Sequence, residues 1–418
     1  MKWMRQWFGS FLLLTLVAVP TLAADETFAL KDGDRVVFYG DSITDQRLYT
    51  TYTETYVVTR FPNLNVSFVH SGWGGDRVTG GGGGPIDVRL ARDVIAYKPT
   101  VVTIMLGMND ASYRPFDQAI FDTYADGYRH IVESLKQGLP NVRLTLIGPS
   151  PFDDVTRPPN FEGGYNAVLL RYAQFVKELA EKEGATYADL NTSVVDATKK
   201  AEATDHELAL RLNPDRVHPG LGGQLLMSAA LLRAWNAPAV VSVVEIDGDK
   251  VVKSENTKVS DLKADGPIAW TQEDASLPLP IDLKDPVIAL AVKSSDVMKD
   301  LNQQILKLSN APSAEYTLKI DGQDIGVFTR EQLGEGVNLA ALTTPMTRQA
   351  AEVHRHTLRH NDIHFNRWRS VQVPLQDFDT EKVNRATDAL DALEADSVAQ
   401  QRKAAQPRPH RFELVPKS

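Results

Sequence analysis

Ser42 stands in the run Phe38-Tyr39-Gly40-Asp41-Ser42-Ile43-Thr44, where a glycine and a tight turn can project its hydroxyl outward. Serine is a weak nucleophile until a base takes its proton. The same residue could instead cap a following helix. A base is available in Asp215-Arg216-Val217-His218-Pro219-Gly220. A histidine three residues after an aspartate on a loop can turn back and donate to the carboxylate. That bond fixes the imidazole tautomer and stabilises the imidazolium formed on proton uptake. Proline and glycine there also mark an ordinary turn. Gly107-Met108-Asn109-Asp110 follows an apolar run, so Asn109 could offer its amide to a developing oxyanion or simply close a turn. In Ser71-Gly72-Trp73-Gly74-Gly75-Asp76-Arg77, glycine lets a backbone N–H approach a reacting centre closely. This is no phosphate loop, because no Gly-Lys-Ser/Thr follows and the GxGxxG spacing fails at Arg77. Gly80 to Gly84 reads as a mobile loop without chemistry. Each signal alone is ambiguous. Together they supply a nucleophile, a base with its orienter, and oxyanion donors.

The elements that must hold these residues alternate. Strands are expected at Val36–Tyr39, Val66–His70, Val101–Leu106, Val142–Ile147 and Thr186–Leu190. Helical stretches fall between them, ending near Arg60 and covering Asp87–Tyr97, Phe116–Gln137, Tyr165–Glu183 and Leu221–Trp235. Such alternation implies a parallel sheet covered on both faces, with functional residues beyond the carboxyl ends of the strands. The fold class is therefore α/β, a three-layer α/β/α sandwich.

This constellation over residues 33 to 236 resembles the GDSL or SGNH hydrolase family, named for Ser, Gly, Asn and His. The resemblance implies Ser42 as nucleophile, with its own N–H as an oxyanion donor. Gly75 then matches the oxyanion glycine, although His70 stands where the family's second block begins with asparagine. Asn109 is implied as the side-chain donor, His218 as base and Asp215 as its partner. The implied activity is hydrolysis of O-acyl esters by a serine enzyme with no metal or cofactor. Within the family's range of substrates we expect a small acyl group, acetyl first, on a carbohydrate. A lipid or aryl ester is the enzymatic alternative, and a glycan-binding protein on a hydrolase scaffold the non-enzymatic one. Trp73, near Gly75, could stack on a sugar ring or pack internally.

The chain has 418 residues, 43% of them hydrophobic and none of them cysteine. That excludes disulfides, thiolate metal sites and a cysteine nucleophile. A net charge of −9 without a basic patch argues against nucleic acid as a partner. Lys2 and Arg5, the apolar run Phe11–Val19 and the small residues ending at Ala23-Ala24 form the pattern of a secretory signal peptide. Residues 1–24 are thus expected to be removed, leaving a periplasmic or secreted bacterial protein without stable membrane insertion. The expected catalytic unit covers 28–237, and a mixed β and helical module 238–418. In that module, two strand-turn-strand units share Ile-Asp-Gly, at 246–248 and 320–322, and Leu277-Pro278-Leu279-Pro280 suggests an extended connector. From Thr344 onward the pattern is mostly helical. His356, His360 and His364 fall on one helix face, with His354 nearby. The neighbouring Arg367 and Arg369 disfavour a bound cation, so no metal is expected there. A polar helix docked on the first unit is the reading we adopt.

Overall fold

The computed structural model describes residues 27–417, so the signal-like segment 1–24 lies outside the described residues. Five parallel strands make the first sheet: β1 (Arg35–Gly40), β2 (Ser67–Gly72), β3 (Val101–Met105), β4 (Arg143–Ile147) and β5 (Thr186–Ala188). Their order is β2-β1-β3-β4-β5, with Phe38 opposite both His70 and Thr103. Because the chain leaves β1 toward β2 and then crosses to β3, the order reverses beside β1. Ligand sites of open α/β sheets form at such a point. Val36, Val37, Phe38 and Tyr39 are fully buried, as a central strand covered on both faces requires.

Helices follow the strands: α1 (Ser42–Asp45), α2 (Leu48–Arg60), α3 (Ile86–Asp93), α4 (Gln118–Gly138), α5 (Tyr165–Glu183), α6 (Thr192–Glu202) and α7 (Leu221–Ala234). Helix α7 packs on α2, while α4 packs on α3 and α5. Helix α6 was not apparent in the sequence. The glycine run is also not the loose loop expected of it. Gly80–Gly81 pairs with Gly84–Pro85 in a tight hairpin, and a Cβ on Gly83 would collide with Trp73 and Arg89.

Helix α2 is rich in polar residues yet buried almost all round. Its threonines make that possible by bonding to the preceding turn, as Thr53 Oγ1 does to the Tyr49 carbonyl at 2.8 Å and Thr59 Oγ1 to that of Thr55 at 2.8 Å.

The second half is more than the hairpins and helices expected. Its elements are β6 (Val240–Asp247), β7 (Lys250–Glu255), β8 (Thr257–Lys263), β9 (Ile268–Asp274), α8 (Pro286–Lys293), β10 (Gln303–Ser309), β11 (Glu315–Ile320), β12 (Gln323–Thr329), β13 (Val337–Asn338), α9 (Pro345–Phe365), α10 (Thr380–Ala404) and β14 (His410–Pro416). They form two sheets, β8-β9-β14-β11-β12 and β13-β10-β6-β7. The last strand, β14, lies between β9 and β11, where Phe412 stacks on Trp270 with ring centroids 5.2 Å apart. The connector Leu277–Pro280 runs in contact with the first half, the Leu277 N–H reaching the Thr59 carbonyl at 2.9 Å. Helix α9 lies against α2, and α10 packs along α9. Among the described residues, no helix is long and apolar enough to cross a membrane.

Candidate active site

Ser42 opens α1 immediately beyond β1. Capping there is done by its neighbour, since Asp41 accepts the Ile43 N–H at 3.0 Å and so leaves the serine hydroxyl unengaged by the helix. Burial pushes the Asp41 carboxyl up to about 7. Ser42 Oγ lies 2.8 Å from His218 Nε2, and His218 Nδ1 lies 2.7 Å from Asp215 Oδ2. These separations suit a nucleophile, a base and its orienter in sequence.

The three-residue spacing works because Asp215 folds the loop around itself. Its Oδ1 accepts the N–H groups of Val217 at 3.0 Å and His218 at 2.7 Å, leaving Oδ2 for the ring. Burial raises the Asp215 carboxyl, but the bonds from the His218 N–H, the His218 ring and the Val217 N–H outweigh it and hold the group below its ordinary value. The chain enters the loop with Arg216 in the left-handed region at φ 73°. Neighbouring segments fasten it: Arg157 donates to the carbonyls of Asn213 at 3.1 Å and Pro214 at 2.9 Å.

On the other side, the loop after β2 carries Gly75 at φ 77°, a conformation side-chain-bearing residues rarely adopt. Among the described residues, neither its N–H nor that of Ser42 meets a protein acceptor. Asn109 is held at both ends of its amide. Nδ2 donates to the Asp76 carbonyl at 3.0 Å, and Oδ1 accepts the Tyr113 hydroxyl at 3.0 Å. Among the described residues, the other amide N–H meets no protein acceptor. The Asp110 carboxyl is buried, pushed up to about 7, and accepts the Val78 N–H at 2.9 Å.

The surroundings of three further residue groups narrow the sequence readings. Trp73 is not a bare platform for a sugar: the Arg369 guanidinium sits 3.4 Å from its ring centroid and the Gly83 backbone crowds the ring. His70 turns away from the Gly75 loop, with Nδ1 2.7 Å from Thr50 Oγ1 and Nε2 3.1 Å from Glu54 Oε2. Of the histidine run, His360 Nε2 meets Glu54 Oε1 at 2.5 Å and His364 Nδ1 meets Glu394 Oε2 at 3.3 Å, so both face carboxylates across helix interfaces. Sequence reasoning also missed Tyr113, the fully buried Arg89 between Asp76 and Asp93, and the pair Trp368 and Arg369. Tyr113 and Arg89 each have one partner only four residues away, Asn109 and Asp93, but the partners of Trp368 and Arg369 and the Asp76 partner of Arg89 are not within any local spacing.

Residues 38–226 match the GDSL-like Lipase/Acylhydrolase family. An acetylxylan esterase from Geobacillus stearothermophilus is 27% identical over 219 residues, covering 48% of this chain and 93% of that protein. Over its first half this chain is similar to the GDSL/SGNH hydrolases. That makes the protein a serine carboxylic ester hydrolase. The GDSL match stops before β6, whereas the fold does not. BT4096, described as a gut microbial diltiazem-metabolizing enzyme, superposes with a TM-score of 0.82 over 94% of this chain and 99% of its own, at 24% identity. The whole architecture, an α/β/α unit followed by two sheets and a helical pair, therefore recurs in another protein.

Proposed function

We propose that the protein is an exported esterase that removes O-acetyl groups from a carbohydrate, with Ser42, His218 and Asp215 as its triad. The observation that carries this reading is the continuous relay from Ser42 Oγ through His218 to Asp215, at 2.8 and 2.7 Å. Ser42 Oγ attacks the ester carbonyl and forms the new C–O bond, while its proton passes to His218 Nε2. The carbonyl electron pair moves to oxygen, met by the N–H groups of Ser42 and Gly75 and the free N–H of Asn109. Each such donor is typically worth about 3–4 kcal/mol in the transition state. Collapse of the tetrahedral species breaks the bond to the sugar oxygen, which takes the proton from His218. Water, deprotonated by the same imidazole, then releases acetate and restores Ser42.

The acetyl and carbohydrate parts of the proposal rest on the acetylxylan esterase relative. Trp73 lends them no support, since its ring is already covered. Export is supported by the signal-like pattern in residues 1–24. An acetate-release screen over acetylated oligosaccharides tests the reading, with nitrophenyl acetate and a long-chain nitrophenyl ester beside it. We expect acetate release and turnover of the short ester only, both abolished in Ser42→Ala. Hydrolysis that survives Ser42→Ala would remove the nucleophile assignment. Preference for the long chain would replace the carbohydrate substrate with a lipid.

A further inference from the structure

Gly75 has no side chain of its own to hold it, and a Cβ built on it would touch nothing within 4 Å. The direction of its N–H is therefore set by the residues on either side. Two side chains of the second half reach those residues, both from the π-helical turn Asn366–Gln372 that ends α9. Arg369 lays its guanidinium over Trp73, at 3.4 Å from the ring centroid, and its Nη1 is 3.4 Å from the Gly72 carbonyl oxygen. The same nitrogen is 3.6 Å from Asp45 Oδ1, and Asp45 Oδ2 accepts the Gly74 N–H at 3.2 Å.

Trp368 is buried and donates from Nε1 to Asp93 Oδ1 at 2.6 Å. Asp93 pairs with Arg89, which donates to Asp76 Oδ2 at 2.8 Å and to the Ser71 carbonyl at 2.9 Å. The backbone of Asp76 in turn accepts from Asn109. Residues 71, 72, 73, 74 and 76 are thus all gripped, and Gly75 is the one position between them left to present its N–H. The turn itself is anchored, because Arg47 donates to Asp362 at 2.9 Å and stacks over Phe365 at 4.4 Å.

We infer that the second half is a built part of the catalytic centre, and that Arg369 and Trp368 are positioning residues for the Gly75 oxyanion donor. They act through Trp73, Gly72 and Asp45 on one side and through Asp93, Arg89 and Asp76 on the other. Neither is assigned contact with substrate. The inference rests on the proposed ester hydrolysis at Ser42. It matters energetically because misplacing a catalytic group by about 1 Å can cost about a hundredfold in rate.

The test uses the full chain and its Arg369→Ala, Arg369→Lys and Trp368→Phe variants, with nitrophenyl acetate as substrate and thermal unfolding as the check on folding. Arg369→Ala should lower kcat about tenfold while KM stays within about twofold, the mark of an interaction lost in the transition state. Inactivation by a fluorophosphonate, whose tetrahedral adduct needs the same donors, should slow in parallel. Lysine keeps a cation facing Asp45 without a planar group for Trp73, so Arg369→Lys should recover part of the rate. Trp368→Phe removes only the Nε1 donor and should cost about threefold.

Wild-type kcat and phosphonylation rate in a folded Arg369→Ala protein would overturn the inference. So would a change confined to KM, which would make Arg369 a substrate contact. If Arg369→Ala does not fold, unchanged kcat in both Arg369→Lys and Trp368→Phe overturns it equally. A wild-type protein inert to both the ester and the fluorophosphonate sinks the esterase reading itself, and this inference with it.

Discussion

Asn109, the proposed side-chain oxyanion donor, has little freedom. Its amide oxygen accepts from Tyr113 and one of its N–H bonds is spent on Asp76, so a single N–H remains and points where those two bonds dictate. Asn109→Ala should therefore lower kcat about 10²–10³-fold, the usual cost of an oxyanion donor. Tyr113→Phe leaves the amide held only by its bond to Asp76, and should cost about tenfold at most. Because Tyr113 acts only through Asn109, the double variant should be no slower than Asn109→Ala alone, a non-additivity that steady-state kinetics will read directly. Equal additive losses would show that Tyr113 touches the substrate independently. Asn109, Ser42 and the Asp215–His218 pair were legible in the sequence because each follows a strand or carries a local spacing. Tyr113 was not, since a tyrosine four residues past an asparagine in a turn looks like any other exposed aromatic.

Between elements, the contact of α2 with α9 and α10 depends on buried charge. Glu54 of α2 meets His70 of β2, His360 of α9 and Gln401 of α10, the last at 2.8 Å, while His360 Nδ1 and His364 face Glu394 of α10. Burial raises the Glu54 carboxyl, but the His360 charge and the bonds from His360 and His70 pull it far below the ordinary range. Burial likewise lowers His360, and Glu54 and Glu394 more than reverse it. His70, its pKa depressed mainly by burial, stays neutral, so His360 is the cation. The sign follows for each partner. The Glu54 contribution is present above pH 4.5, its ordinary pKa, and is lost as pH falls through the lowered value. That of His360 is full below pH 6.5 and is lost as pH rises through the raised one. Glu54→Gln leaves this cation deprived of its nearest carboxylate, and should destabilise the protein by about 3–5 kcal/mol near pH 6. Denaturant unfolding at pH 4, 6 and 10 checks this, since the gap between variant and wild type should narrow strongly toward pH 10, where His360 loses its proton, and little at pH 4, which is still above the lowered Glu54 value. A gap independent of pH would make the loss one of packing. In the sequence, α2 reads as an ordinary polar helix and the histidine run as a docked polar face. The carboxylates that join them lie at positions 54 and 394, too far apart for any spacing rule to connect.

At the scale of the molecule, length suggested two units, and the family match to residues 38–226 gives the first one a name. What spacing could not convey is how the halves are joined. Arg60, buried at the end of α2, donates to the carbonyls of Pro238 at 2.7 Å, Val240 at 3.0 Å and Leu301 at 2.9 Å. Arg402 of α10 reaches back to the carbonyl of Leu64 at 3.1 Å. Strand β14 was unreadable for a related reason. Seven residues after a long polar helix carry a strand pattern too short to stand out, and only their partners β9 and β11, more than ninety residues away, make them a strand. An isolated first half would expose the buried sides of α2 and leave a guanidinium and a carboxylate without their partners, each cost being several kcal/mol. That is comparable with the whole stability of a domain. We therefore expect the full chain to unfold in a single calorimetric transition, with the calorimetric and van't Hoff enthalpies in agreement. A fragment ending at Ala237 should be insoluble or lack a cooperative transition. Deletion of only the residues from His410 onward should lower the transition temperature sharply, because it removes the middle strand of a five-stranded sheet. Two separable transitions, or a stable and active fragment 28–237, would show instead that the halves are independent and that the contacts around Arg60 and Glu54 are a surface adhesion rather than a shared core.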